Sequence, residues 1–299
     1  MERTERFDSA DQAIKIGFWA NAILMVMKLL AGHFGHSTAV FADGLESAAD
    51  LFVIFCAMIA VRIGRKPFDE DHPYGHGRAE SISAIVVSFV IFGTGAWILV
   101  RAIRTIIDGT FQTPGFIAVI AAIITILAKE SLFRYTSAVG ARLESPAVAA
   151  VAKDHRKDAV SSVATLIGVT GAFFGVAVMD PLAAGITALF IFHIGYDTFQ
   201  CAAHDLMDGS PPEGFVDTVT RIACGVEGVE GVHEIKARRS GQYVIVDMKL
   251  DMDPEMTVKR SHAVATEVKR LIFDRIPNIG DVMIHINPYD ETHEDMIRL

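Results

Sequence analysis

At 299 residues and 51% hydrophobic, with a mean hydropathy of +0.37, the chain is too apolar for an ordinary soluble domain and suits a membrane protein with a soluble portion. A formal net charge of -9 argues against a nucleic-acid binder, which is usually basic. The three cysteines, Cys56, Cys201 and Cys224, are far apart and form no CxxC pair, so they suggest neither a disulfide framework nor a thiolate zinc site.

The first residues, MERTERFDSADQ, are polar, and the apolar stretch after them is too long for a signal-peptide core; no cleaved signal is expected. A bilayer span needs about 20 apolar residues. Six stretches qualify as predicted spans: Ala13–Gly35, Thr38–Ile63, Ser81–Ile106, Gly115–Ala138, Val148–Met179 and Pro181–Leu206. Tight breaks with Gly or Pro alternate with longer charged ones. Arg3, Arg6, Arg62, Arg65, Lys66, Arg78, Arg134 and Arg142 then fall on one side, which places both termini in the cytosol, although Arg101 and Arg104 fall on the other side.

After Met207 the pattern changes. Gly209-Ser210-Pro211-Pro212 reads as a linker, so a membrane domain of residues 1–208 and a cytosolic domain of residues 209–299 are expected. In the second part, Phe215–Val226 has helical spacing, Val232–Arg238 and Tyr243–Met252 alternate like strands, Thr257–Ile276 reads as a helix and Val282–Ile286 as a final strand. The fold class is therefore six transmembrane helices followed by a small α+β domain in the order αββαβ, with helices on one face of the sheet.

Two acidic pairs stand out. Glu46 and Asp50, and Asp154 and Asp158, are each four residues apart, which places each pair on one helix face, one turn above the other. A carboxylate in a bilayer is expensive and needs a partner. Two facing pairs suit a divalent metal ion bound by hard oxygen ligands. The second pair also has another reading: KDHRKD contains three cations and fits a juxtamembrane cluster, with the span starting only at Ala159. In that stretch Lys153, Arg156 and Lys157 are expected to face headgroups or cytosol, and His155 to point away from the acids.

The segments STAVFADGLESAADL, DEDHPYGHGRAES and AKDHRKDAVSSVATLIG, followed by a linker, a GVH turn and a late IHINP strand, resemble the cation diffusion facilitator family in family order over nearly the whole chain. The resemblance implies a transport site of Glu46, Asp50, Asp154 and Asp158, and a ferredoxin-like cytosolic domain that senses metal and dimerises. Zinc-type members usually carry His at the position of Asp154. Four carboxylates make a harder site, shifting preference towards Mn2+ or Fe2+, with Zn2+, Cd2+ and Co2+ as alternatives, although affinity order alone favours zinc. The pattern looks like manganese-type and magnetosome-type members. Carboxylates crowded together without metal repel one another and hold protons, which an arriving metal expels. Proton-coupled metal efflux by alternating access follows, with Asp43 near the same face as a proton relay. The implied setting is a homodimer in the bilayer, in a bacterial inner membrane or a derived organelle membrane, with the metal as substrate, protons as counter-ion and no organic cofactor.

Asp69, His72 and His76 are dense enough to bind a metal, and by family position they resemble a second, looser metal site; a solvated loop is the bland alternative. Arg78 and Asp208 resemble a charge interlock that steadies a dimer. His233, His262 and His285 fall where the family's cytosolic site has ligands, but Lys249 and Asn287 replace a usual histidine and aspartate, leaving a single weaker ion on His285, His262 and Asp247, or surface histidines alone. His33, His36, His193 and His204 read as helix-end or packing residues, and the tail His293 as non-chelating. The alternatives in function are a non-transporting scaffold for another family member and a membrane-embedded hydrolase. The sequence has no P-loop, HExxH or GxSxG to suggest ATP drive or hydrolysis.

Overall fold

A computed structural model describes residues 3–143 and 146–289. Among the described residues, eight helices and three strands follow in chain order: α1 (Arg3–Phe34), α2 (Thr38–Gly64), α3 (Ala79–Ile107), α4 (Phe116–Leu143), α5 (Pro146–Phe173), α6 (Met179–Leu206), α7 (Phe215–Cys224), β1 (Gly231–Ser240), β2 (Tyr243–Met252), α8 (Val258–Arg275) and β3 (Ile279–Pro288). Two compact units divide them. One takes the chain up to Ala57 with Ala84–Phe199; the other takes Met58–Ser83 with the chain from Gln200 onward.

In the first unit, long helices pair the backbone groups of their interiors within each segment, as lipid requires. Five of the described helices, α1 to α4 and α6, are long and apolar enough to cross a membrane. α5 is not among them. Its first half carries Lys153, Asp154, Arg156, Lys157 and Asp158, which leaves a charge-free remainder only from Ala159 to Phe173, short of a full span. It also ends earlier than the apolar pattern suggests, because the chain turns at Gly175, whose φ of 107° only glycine adopts readily.

Two apolar seams hold this unit. Ala39 and Ala42 of α2 pack with Val87, Ile91 and Ile98 of α3 and Ala184, Ala188 and Ile191 of α6. Ala31 of α1 and Val40 of α2 pack with Ala118, Ala121 and Ala122 of α4 and Val169 of α5. Small residues bring backbones close: a Cβ on Gly168 of α5 would sit 2.2 Å from that of Ala183 on α6.

The αββαβ order appears in the second unit. β1 and β2 form an antiparallel hairpin across Gly241 (φ 59°), and β2 runs parallel to β3, a pairing that needs the crossover supplied by α8. Alternate residues of β2, namely Val246, Met248, Leu250 and Met252, face Val219 and Ile222 of α7 and Val264, Val268 and Ile272 of α8. Thr257 starts α8 by accepting the Arg260 backbone N–H on its side chain. β2 and the start of α7 keep the bounds read from the pattern, whereas the other strand and helix ends of this domain differ from it by one to three residues, where the terminal side chains carry no periodic signal.

Candidate metal sites

Asp180, at the start of α6, fixes the start of α2. Its carboxylate accepts the Ser37 hydroxyl at 2.5 Å and the backbone N–H groups of Thr38 at 2.6 Å and Ala39 at 3.4 Å. Donors left over at a helix N-terminus are thereby satisfied within the bundle. Two turns further along α2, Asp43, Glu46 and Ser47 are buried, and Asp50 is half-buried.

Asp43 is held by Lys28 of α1, whose Nζ lies 2.9 Å from Asp43 Oδ1 and 3.0 Å from Ser47 Oγ; Ser162 of α5 donates to the same carboxylate at 3.2 Å. Glu46 differs. Its Oε2 is buried and has no hydrogen-bond partner among the described residues. The Glu46 carboxylate feels the charges of Asp43, Asp50 and Asp158, and Asp50 feels that of Asp158 most strongly among its charged neighbours. A buried polar atom without a partner calls for a proton, a water or an ion.

On α5 the buried face runs through Val148, Ala152, His155, Ala159 and Ser162. His155 is therefore buried, and the absence of a side chain at Gly17 of α1 makes room for it: a Cβ there would sit 2.9 Å from Nε2. Neither ring nitrogen has a hydrogen-bond partner among the described residues. Asp158 borders this face, whereas Asp154 is exposed, with the charges of Asp158 and Lys157 acting on it. The quartet therefore does not form a closed ligand cage in this chain. Lys129 of α4 pairs with Asp158 instead: its Nζ lies 2.5 Å from Asp158 Oδ2 and 2.8 Å from Asn21 Oδ1 of α1. Arg156 does not simply face headgroups or cytosol; it pairs with Glu130 of α4 and lies over the Phe133 ring.

The acid spacing did not reveal Lys28, Lys129, Asn21 or Asp180. A signal was present, because AILMVMKLLAG and ITILAKESLF each place one lysine inside an apolar run, and a buried cation needs a partner as much as a buried acid does.

In the loop after α2, Asp69, His72 and His76 are the only three His, Cys, Asp or Glu residues among those described whose ligand atoms all lie within 4.8 Å of one another. Asp69 Oδ1 accepts the His72 backbone N–H at 2.7 Å and lies 3.2 Å from His72 Nδ1, and Asp69 Oδ2 lies 3.4 Å from His76 Nε2. The His72 N–H bond holds the Asp69 carboxyl below its ordinary range, with the His72 and His76 rings adding to it. His76 Nδ1 is 3.2 Å from the Pro67 carbonyl; a proton there leaves Nε2 free to bind metal, the usual outer-shell arrangement.

Arg78 and Asp208 form an ion pair within one chain, and Arg238 reaches the same Asp208 oxygen at 3.3 Å. The three residues His285, His262 and Asp247 are not brought together within one chain. Asp247 and His285 lie on the sheet face opposite the core, where Lys249 pairs laterally with His285, whereas His262 is exposed on α8, which covers the other face. Lys249 also binds Glu234 at 2.8 Å, and His233 lies 4.0 Å from Asp251. His293 lies outside the described residues.

The family profile described as "Cation efflux transmembrane domain" matches residues 14–207, and that described as "Cation efflux protein, cytoplasmic domain" matches residues 211–289. The chain belongs to the cation diffusion facilitator family. Family members similar to it include the "Manganese efflux system protein MneP" of Bacillus subtilis (strain 168), 34% identical over 96% of this chain and 99% of that protein. The "Uncharacterized transporter YdbO" of the same organism is 36% identical over 97% of this chain and 99% of its own length. The "Magnetosome protein MamB" of Magnetospirillum gryphiswaldense is 31% identical over 94% of this chain and 95% of its own. Among solved structures, "MamM CTD - Copper form" matches 27% of this chain and 79% of its own, with 28% identity and a TM-score of 0.26. This cation diffusion facilitator is thus an integral membrane protein of a metal-efflux transporter family, with manganese-related and magnetosome relatives.

Proposed function

We propose that this chain exports divalent transition-metal cations from the cytosol in exchange for protons, with Mn2+ or Fe2+ preferred over Zn2+, Cd2+ and Co2+. The observation that carries the reading is the buried, unpartnered Oε2 of Glu46, surrounded by the charges of Asp50 and Asp158 from two different helices. Oxygen donors of this kind suit hard or borderline divalents. That a similar full-length protein is called a manganese efflux protein supports the same choice of ion.

In this reading α5 completes six spans, with its charged half lining the site rather than facing lipid, and both termini lie in the cytosol. Residues 1–208 form the transport domain and 209–299 a ferredoxin-like regulatory domain, and the protein works as a homodimer in a bacterial inner membrane or a derived organelle membrane. Closing Asp154 onto Glu46, Asp50 and Asp158 forms the inward site around the ion; rocking of the helices then exposes it to the far side. Protons occupy the carboxylates on the return.

Purified protein in liposomes, given a pH gradient and competing Mn2+, Fe2+, Zn2+, Cd2+ and Co2+, tests this. Flux should be greatest for Mn2+ or Fe2+ and absent in Asp50→Ala and Asp158→Ala protein that still inserts. Normal flux in either variant removes the site from the mechanism.

A further inference from the structure

Lys129 is buried at 2% side-chain exposure, at the end of an apolar run of α4. Burying an ammonium is unfavourable unless its protons are bonded and its charge is balanced. Two groups, only one of them charged, hold it: the Asp158 carboxylate at 2.5 Å and the Asn21 amide oxygen at 2.8 Å. The ammonium thus occupies an oxygen of Asp158, one of the two carboxylates that α5 contributes to the proposed transport site. The other buried lysine, Lys28, is already balanced by Asp43 and bonded to Ser47, and leaves Glu46 unpartnered.

We propose that Lys129 is a tethered internal cation that determines how tightly the transport site holds its cargo. It occupies Asp158 while the site is empty, gives up that oxygen when a divalent ion arrives, and takes it back as the ion leaves. The proposal rests on the transport-site reading above. Charge balance explains why one lysine suits a divalent cargo. With metal bound and the acids ionised, the four carboxylates carry four negative charges; Lys129 and Lys157 offset two, and a divalent ion offsets the other two. Asp154 at the exposed edge has Lys157 beside it. Because the lysine competes for the same oxygen, it weakens metal binding, and a transporter has to release what it binds. Asn21 retains the ammonium in either state, which keeps it within reach of Asp158.

The test is equilibrium Mn2+ binding to the purified full chain, in a background where Asp69, His72 and His76 are all alanine so that the loop contributes nothing. Lys129→Gln and Lys129→Met each remove the charge, and glutamine keeps a donor for Asn21 and Asp158. Both should bind Mn2+ at least tenfold more tightly than the parent and turn over more slowly in liposomes, whereas Lys129→Arg should stay near the parent. Unchanged or weaker binding in a folded neutral variant overturns the proposal. If neither neutral variant folds, the 15Nζ resonance of Lys129 in the parent, assigned by its loss in Lys129→Arg, decides. It should move when Cd2+ saturates the site, and a fixed resonance overturns the proposal. Failure of the transport-site reading looks different: parent binding would then be indifferent to Asp50→Ala and Asp158→Ala.

Discussion

Lys28 of α1 and Asp43 of α2 form a sealed ion pair at 2.9 Å, with side-chain exposures of 2% and 5%. Ser47 and Ser162 complete its hydrogen bonds. A carboxylate held in this way is a structural partner first. Removing one member of a buried pair strands the other and costs about 3–5 kcal/mol, whereas replacing both with apolar residues of similar size is often neutral. Asp43→Leu alone should therefore fail to yield stable protein, and the Lys28→Met/Asp43→Leu double variant should insert, survive detergent heating and carry metal. A well-folded double variant without flux would instead give Asp43 the role of proton relay.

Asp180 replaces a local N-cap with one supplied from a distant helix. Its two oxygens satisfy Ser37, Thr38 and Ala39 at the start of the helix that carries Glu46 and Asp50. Loss of an N-cap costs about 0.5–2 kcal/mol. Asp180→Ala should lower the melting temperature in detergent and speed amide exchange over Ser37–Phe41, while Asp180→Asn, which keeps one acceptor, should lose less. Equal melting of Asp180→Ala and the parent would show that water serves these donors equally well.

Most of the small domain was legible because β2 alternates cleanly and its hairpin partner β1 precedes it across Ser240-Gly241. Hydropathy extended α5 through FFGVAVM, since apolar content continues past the turn that Gly175 makes. The i,i+4 rule stacked Asp154 above Asp158, but it cannot say where around the helix the buried face lies. That depends on α1 and α4, and the result buries His155 and exposes Asp154. Lys129 and Asp158 are 29 residues apart, so no local pattern could pair them.

Gly77, before α3, lies against the β1–β2 turn. A Cβ on it would meet the Ser240 carbonyl oxygen at 2.5 Å, and one on Gly241 would meet the Gly77 carbonyl oxygen at 2.7 Å. Overpacking of this kind typically costs about 1–3 kcal/mol. Gly77→Ala should make the loop at 65–78 more sensitive to limited proteolysis, with the effect spreading to the Ser240–Tyr243 turn. A digestion pattern identical to the parent's would mean that the two backbones separate without cost.

The exposed acids of the small domain predict a direction with pH. Hydrogen bonds from Lys249 and Lys236 lower the Glu234 pKa, and one from Lys269 lowers that of Asp281. A folded-state pKa below the unfolded one adds stability that is full above the ordinary carboxylate values, about 4.3 for Glu and 3.9 for Asp, and is lost as pH falls through the depressed values. The amide protection factors of β1 and β3 in the full chain, corrected for intrinsic exchange at each pH, should therefore fall below about pH 4. The Lys249→Met/Lys269→Met double variant should lose much of that pH dependence, and an unchanged acid profile in it would remove these pairs as the cause.

Asp69, His72 and His76 make the last prediction, because they are gathered before any ion arrives. His76 Nε2 and both Asp69 oxygens converge, with Pro67 orienting the His76 ring. Metal binding to a preformed set needs little ordering, so affinity should depend on ligand chemistry more than on loop folding. His76→Ala should lower the number of metal ions bound per chain by about one and Asp69→Asn should weaken that site, the loss of a charged ligand outweighing the retained amide oxygen. Zn2+ should be affected more than Mn2+, since imidazole ligands suit zinc. The check is metal content after dialysis, with Asp50→Ala measured in parallel. A stoichiometry that falls with Asp50→Ala and not with His76→Ala would leave the loop as a solvated turn.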